Sequence, residues 1–67
     1  MFAIETEPEQ DGRWIAEVPV LPGVLAYGAS EAEARRRAVA LALRVIAERL
    51  EANEPIPPEA HHLTIAA

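Results

Sequence analysis

One segment constrains the fold more than any other: it predicts a single long amphipathic α-helix that begins after Ser30 and ends near Asn53. Ser30 with Glu33 three residues later forms a capping box, which satisfies backbone N–H groups at a helix start. Pro55 disfavours helical geometry in the residue before it, so the helix has to stop there. Apolar residues recur at spacings of three and four and predict one buried side, made of Ala34, Ala38, Leu41, Ala42, Val45, Ile46 and Leu50.

The rest of the chain predicts short β-strands. Apolar and polar residues alternate in Phe2–Glu7 and again in Arg13–Val18, as half-buried strands require. A third short strand is expected at Val24–Tyr27, after a type II turn at Pro22–Gly23. A final strand is expected at His62–Ala66, after the proline-rich segment that follows the helix.

These elements predict a two-layer α+β fold with the order β-β-β-α-β. An antiparallel meander of three strands leaves the first strand free to pair with the last, which gives a mixed sheet ordered 3-2-1-4 with the helix on one face. The first hairpin is expected to place both apolar sets on the helix side. In that register the facing pairs are Glu7 with Arg13, Ile4 with Ala16 and Phe2 with Val18.

Composition limits what the chain can be and where it can act. Its 67 residues suit a single domain, residues 1–67, and its sequence has no cysteine for a disulfide or a thiolate metal site. No apolar run is long enough to span a bilayer and no signal peptide opens the sequence, so we expect a cytoplasmic protein without a bound cofactor. The formal charge is −5, which disfavours direct binding to nucleic acid or membrane and suits a basic partner.

The small core predicts self-association. In a chain of 67 residues without disulfides, apolar burial barely offsets the entropy of ordering, so we expect a homo-oligomer, most simply a dimer. Val39 and Leu43 lie off the main apolar side of the helix and are the candidate oligomer contacts. The alternative is that a wide apolar arc, including both residues, faces a broad sheet.

Three glutamates are the main candidates for chemistry. Glu5, Glu7 and Glu17 are expected on the sheet face away from the helix, where clustered carboxylates could hold Mg²⁺ or transfer protons. The alternative is a solvated outer face, which is common for charged side chains. His61 and His62 could form a metal pair, but neighbouring strand residues point to opposite faces, so an exposed pair is the better interpretation. No metal site and no catalytic residue are therefore assigned, and we do not expect an enzyme.

The order of several short motifs resembles the N-terminal domain of HicB-type antitoxins. The resemblance extends from Ile4 to about Pro58 and includes Ile56-Pro57 after the helix. Its other motifs are Asp11-Gly12-Arg13-Trp14, Ala16-Glu17-Val18-Pro19, Leu21-Pro22-Gly23-Val24, and Ala26-Tyr27-Gly28 leading into Ser30-Glu31-Ala32-Glu33-Ala34.

The resemblance implies a partial ribonuclease-H-like fold and a non-catalytic antitoxin. Such antitoxins bind and mask a small HicA-type toxin, an mRNA-cleaving ribonuclease. Long members also carry a DNA-binding domain, and because this chain ends at Ala67 we expect a short form that does not bind an operator by itself. The candidate contacts with a basic toxin are Glu5, Glu7, Glu17, Glu48 and Glu51. Two alternatives remain: a solitary oligomeric HicB-like regulator without a toxin, and a metal-dependent nuclease that uses the three sheet glutamates.

Overall fold

The computed structural model describes residues 2–63, with side chains to His61, and shows an α+β fold. The sheet has three antiparallel strands in the order β1-β2-β3. As predicted, one helix covers one of its faces. The strands are short, and a 3₁₀ helix follows the long α-helix. The bounds are β1 Glu5–Pro8, β2 Trp14–Glu17, β3 Leu25–Gly28, α1 Glu31–Glu51 and the 3₁₀ helix Pro58–Leu63.

The first hairpin closes through a loop of three residues, Gln10 to Gly12. The N–H of Glu9 donates to the carbonyl of Arg13 at 2.7 Å, and the N–H of Gly12 donates back to the carbonyl of Glu9 at 3.1 Å. Gly12 has φ +89°, in the left-handed region that such a loop requires at its last position. Glu9 therefore faces Arg13, the position that the sequence predicted for Glu7.

This loop shifts the predicted register of β1 against β2 by two residues. Thr6, not Ile4, lies opposite Ala16, and Glu7 lies opposite Ile15 rather than Arg13. The error came from the loop length, which the pattern of apolar residues does not specify. Because side chains alternate with a period of two, a shift of two keeps every residue on its predicted face. Phe2 and Ile4 precede β1 and still pack against the core, although the predicted pairing of Phe2 with Val18 is not part of the ladder.

The connection from β2 to β3 is built from two consecutive turns. The N–H of Leu21 donates to the carbonyl of Val18 at 3.0 Å, and the N–H of Val24 donates to the carbonyl of Leu21 at 2.9 Å. Gly23 has φ +88°, which agrees with the type II turn predicted at Pro22–Gly23. The turns direct Leu21 inward, where it is fully buried.

Helix α1 begins as its sequence predicts. The Ser30 hydroxyl accepts the N–H of Glu33 at 3.1 Å, and the Glu33 carboxylate accepts the N–H of Ala29, one residue before the cap, at 2.8 Å. Glu31 pairs with Arg35 and Glu33 pairs with Arg37 at 3.8 and 3.6 Å, both across one turn of the helix.

The helix ends at Glu51, close to the predicted position, and the N–H groups of Asn53 and Glu54 bond to carbonyls of its last turn. Asn53 has φ +58°, and its N–H donates to the carbonyl of Leu50 at 3.2 Å. The N–H of Glu54 donates to the carbonyl of Arg49 at 2.7 Å. These two bonds form a Schellman motif, in which asparagine takes the left-handed position usually held by glycine.

Small side chains bring the helix close to the sheet. Ala34, Ala38 and Ala42 are fully buried at successive four-residue steps. At the helix start the approach is closest: a Cβ added to Gly28 would lie 2.5 Å from the backbone nitrogen of Ala34. The core consists of Ala16, Val18, Leu21, Val24, Ala34, Ala38, Ala42, Ile46 and Ala60.

The end of the described chain differs from the prediction. His62 and Leu63 belong to the 3₁₀ helix Pro58–Leu63, not to a fourth strand, and Ala60 in this helix is buried in the core. The remainder of the predicted strand, residues 64–66, lies outside the described residues. Within residues 2–63 the sheet has three strands, so the order 3-2-1-4 and the ribonuclease-H-like assignment are not supported. The alternating pattern predicted a strand that begins at His62. In the structure, His62 and Leu63 instead complete the 3₁₀ helix that follows the proline-rich segment.

Candidate protein-interaction surface

The sheet face opposite the helix carries acidic and apolar side chains together. Alternation along the three strands directs every second residue outward, and two cross-strand rows result. One row is Glu5, Glu17 and Leu25, and the other is Glu7, Ile15 and Tyr27. We refer to these six residues as the acidic sheet face. All three sheet glutamates are exposed on it, as the sequence predicted.

Two of the glutamates oppose each other directly. Glu5 and Glu17 are paired residues of β1 and β2, and like charges in this arrangement destabilise a sheet. Neither carboxylate forms a hydrogen bond or an ion pair with another residue of the described chain. The negative charge of this row is therefore available to a partner.

The apolar part of the face was not identified from the sequence. Leu25 and Tyr27 each keep 37% of their surface exposed, and Ile15 between the strands is half-buried. The signal was present, because Leu25 and Tyr27 alternate with Ala26 in a strand whose other side faces the helix. The face therefore combines three carboxylates with three exposed or partly exposed apolar side chains.

Arg13 borders the acidic sheet face at the hairpin end. Its guanidinium lies 4.5 Å from the centre of the Tyr27 ring, a cation–π contact. The same side chain pairs with Asp11 at 2.7 Å, and its backbone N–H donates to the other oxygen of that carboxylate at 3.0 Å. The backbone N–H and then the guanidinium of Arg13 lower the pKa of Asp11 below its ordinary value. These contacts hold Arg13 and Tyr27 in place at one edge of the face.

The structure separates the five glutamates that the sequence proposed as toxin contacts. Glu48 and Glu51 are exposed on α1, whereas Glu5, Glu7 and Glu17 lie on the sheet face that α1 does not cover. The helix and the open sheet face are opposite sides of a two-layer molecule. A small rigid partner that contacts the three sheet glutamates cannot contact Glu48 and Glu51 on the same flat surface.

The two candidate oligomer contacts lie on the outside of the helix. Val39 and Leu43 keep 37% and 46% of their surface exposed, so the alternative that a broad sheet covers them is wrong. Leu50 was expected on the buried side and is 45% exposed. Val39 also lines a groove of about 390 Å³ beside β1, together with Ile4, Ala32, Arg35 and Arg36.

The described histidine, serine and arginine side chains do not form a catalytic arrangement with the glutamates. No three histidine, aspartate or glutamate side chains converge on a possible metal position in that part of the chain. Ser30 caps the helix, and Arg35 and Arg37 pair with glutamates one turn away. His61 is exposed in the 3₁₀ helix, and the side chain of His62 lies outside the described set.

Comparisons with protein-family models, with curated proteins and with solved structures found no match to this chain. Neither helix within residues 2–63 is long and apolar enough to cross a membrane. Structural information about function therefore comes from the exposed surfaces of the chain.

Proposed function

We propose that this chain is an antitoxin-like protein that binds and masks a small basic toxin of the HicA type through its acidic sheet face. The observation that carries the proposal is the placement of Glu5, Glu7 and Glu17 beside the exposed side chains of Leu25 and Tyr27. The motifs that resemble HicB-type antitoxins supply the identity of the partner. The partial ribonuclease-H-like fold and a cytoplasmic location belong to the same proposal.

The charge of the face suits a ribonuclease as partner. A protein that binds mRNA presents a basic surface to phosphate, and an acidic surface of matching size excludes the RNA while it binds that protein. Charge complementarity mainly accelerates encounter, whereas buried apolar contacts slow dissociation. The glutamates therefore set the association rate in this proposal, and Ile15, Leu25 and Tyr27 set the lifetime of the complex.

A metal-dependent nuclease is the less favoured alternative. Glu5 and Glu17 face each other, but the described side chains offer no third ligand that converges with them. The chain has no catalytic role in our proposal. A solitary oligomeric regulator remains the other alternative, and binding to a neighbouring toxin separates the two.

The decisive experiment measures association kinetics with a HicA-type toxin encoded beside the gene, produced in a catalytically inactive form. The double substitution Glu5→Lys with Glu17→Lys should reduce the association rate about tenfold or more at low salt, and the difference should shrink as salt rises. The matched control is Glu48→Lys with Glu54→Lys, which changes the net charge equally at two exposed positions outside the acidic sheet face. The control should retain most of the wild-type rate.

Three outcomes would contradict the proposal in different ways. Equal losses in both double variants would indicate long-range attraction without a specific face. A loss only in the Glu48 and Glu54 variant would move the contact to the helix side. A wild-type chain that binds no neighbouring toxin would favour a solitary regulator, and Mg²⁺-dependent RNA cleavage abolished by Glu5→Gln would favour the nuclease.

A further inference from the structure

The outer side of α1 presents a groove and a matching side chain on the same helix. Four of the residues that line the groove, Ala32, Arg35, Arg36 and Val39, occupy positions i, i+3, i+4 and i+7. This is the four-residue arrangement that receives one side chain from a second helix packed alongside. Ile4 from the segment before β1 closes one side of the groove.

The exposed leucines of α1 continue the line of that groove. Leu43 lies four residues after Val39 and Leu50 lies seven residues after Leu43, and both keep nearly half of their surface exposed. Spacings of four and seven keep side chains on one side of a helix. Ala32, Val39, Leu43 and Leu50 thus lie along one side of α1, with Arg36 between Ala32 and Val39, and we call these four apolar residues the outer stripe.

We propose that a second copy of this chain covers the outer stripe, with the two α1 helices antiparallel about a two-fold axis near Leu43. In this arrangement the Leu50 side chain of each copy enters the groove of the other copy. The positions fit because the groove lies about seven residues before Leu43 and Leu50 lies seven residues after it. A two-fold axis requires this symmetry, since each copy must present both the groove and the side chain that fills it.

The charges along α1 select the antiparallel arrangement and a copy of the same chain. Arg35 and Arg36 flank the groove at the start of the helix, and Glu51 follows Leu50 at its end. Antiparallel packing places the Glu51 carboxylate of one copy next to the arginines of the other, whereas parallel packing places arginine beside arginine. Neither Arg36 nor Glu51 forms an ion pair with another residue in 2–63, so each can pair across the interface.

This interface is independent of the toxin proposal because its residues, on α1 and at Ile4, do not belong to the acidic sheet face. The acidic sheet face stays open in the dimer, which therefore presents two such faces. The interface also explains why a chain of this size leaves three large apolar side chains exposed on its helix.

The test is the oligomeric state of the full chain, measured by sedimentation equilibrium. The wild type should be a dimer, and Leu43→Glu, which places two carboxylates near the axis, should raise the dissociation constant about tenfold or more. The matched control Leu25→Glu changes an exposed leucine on the sheet face, 37% exposed against 46% for Leu43, and should leave the dimer intact. Circular dichroism verifies that both variants keep their helix.

A charge exchange tests the orientation of the two copies. Arg36→Glu alone should weaken the dimer, and addition of Glu51→Arg should restore it. Within one helix these positions are about 22 Å apart at 1.5 Å per residue, so a restored affinity has to come from contacts between copies. Because the natural chain has no cysteine, Leu43→Cys should also join two copies under oxidation or with a short bismaleimide, and Leu25→Cys should not.

A monomeric wild type at hundreds of micromolar would overturn the proposal. A dimer that Leu25→Glu disrupts and Leu43→Glu does not would overturn it as well, since the copies would then meet through their sheets. A dimer sensitive to Leu43→Glu but with no recovery in the charge exchange would overturn the antiparallel orientation.

Discussion

Glu5 lies directly opposite Glu17 on neighbouring antiparallel strands, and both side chains are exposed on the sheet face that the helix does not cover. A sheet chosen only for stability would place opposite charges or apolar residues at such a pair, because like charges facing each other repel. If the two carboxylates bind a basic partner, the repulsion between them lowers the stability of the sheet but provides negative charge for the contact. In that case stability and binding should respond in opposite directions to the same substitution.

The first prediction follows from this pair. Glu5→Lys should raise the free energy of unfolding by about 0.5–1 kcal/mol at low ionic strength, because a lysine at position 5 faces Glu17. The gain should fall in high salt, which screens exposed charges. Glu7→Lys is the control, since it makes the same change in net charge on the same strand but faces Ile15. Urea unfolding of both variants at two salt concentrations measures the difference, and an equal gain in both would exclude a specific pair effect.

The second prediction concerns the contact between the end of β3 and the start of α1. Gly28→Ala should lower the free energy of unfolding by about 2–3 kcal/mol, because the added Cβ would meet the backbone of Ala34 at 2.5 Å. A backbone atom cannot move aside as a flexible side chain can, so the helix has to shift. Ala29→Ser, at the next and exposed position, should stay within about 0.5 kcal/mol of wild type. Similar urea midpoints for the two variants would show that the helix accommodates the methyl group without strain.

Local patterns predicted the helix and the faces of the strands correctly because each depends on neighbouring residues. The Ser30 cap, the two ion pairs and the stop near Asn53 all follow from residues within a few positions of one another. The assignment of Glu5, Glu7 and Glu17 to the open face depends only on alternation along a strand. It therefore survived the shift of two residues in the register.

The sequence pattern did not predict features that depend on how two elements are placed relative to each other. The number of residues in the first loop determines the register, and a glycine at its last position is compatible with several loop lengths. The exposure of Val39, Leu43 and Leu50 depends on how wide a strip of the helix the sheet can cover, and three short strands cover a narrow one. The alternating pattern of His62–Ala66 could not show that Pro58–Leu63 forms a 3₁₀ helix.

The third prediction concerns a core residue in the connection between β2 and β3. Leu21 follows Pro19 in a loop, yet its side chain is completely buried because two consecutive turns direct it into the core. Leu21→Ala should lower the free energy of unfolding by about 2–5 kcal/mol, through lost burial and the cavity left behind. Leu25→Ala, which removes the same atoms from an exposed position, should cost well under half as much. Chemical denaturation compares the two, and a similar loss in both would contradict the burial of Leu21.

The last prediction concerns the acid limb of stability and follows from the helix start. The N–H of Ala29, and to a smaller degree the Arg37 guanidinium, lower the pKa of Glu33 below its ordinary value of 4.5. A group whose pKa is lower in the folded than in the unfolded state adds stability above its unfolded pKa, and that stability is lost as the pH falls through the folded pKa. The contribution of Glu33 to the free energy of unfolding should therefore be constant from neutral pH to about pH 5 and should decrease below about pH 5.

Glu33→Gln should remove this contribution to the decline, because an uncharged amide oxygen accepts the N–H of Ala29 at every pH. Glu48→Gln is the matched control, since the Glu48 side chain forms no hydrogen bond or ion pair with another described residue of the chain. Thermal unfolding from pH 7 to pH 3 should give a flatter acid limb for Glu33→Gln than for wild type, and an unchanged limb for Glu48→Gln. If the two variants followed the same curve, the carboxylate of Glu33 would not be the group that couples helix capping to pH, and Asp11, whose pKa Arg13 lowers at the hairpin end, would be the next to substitute.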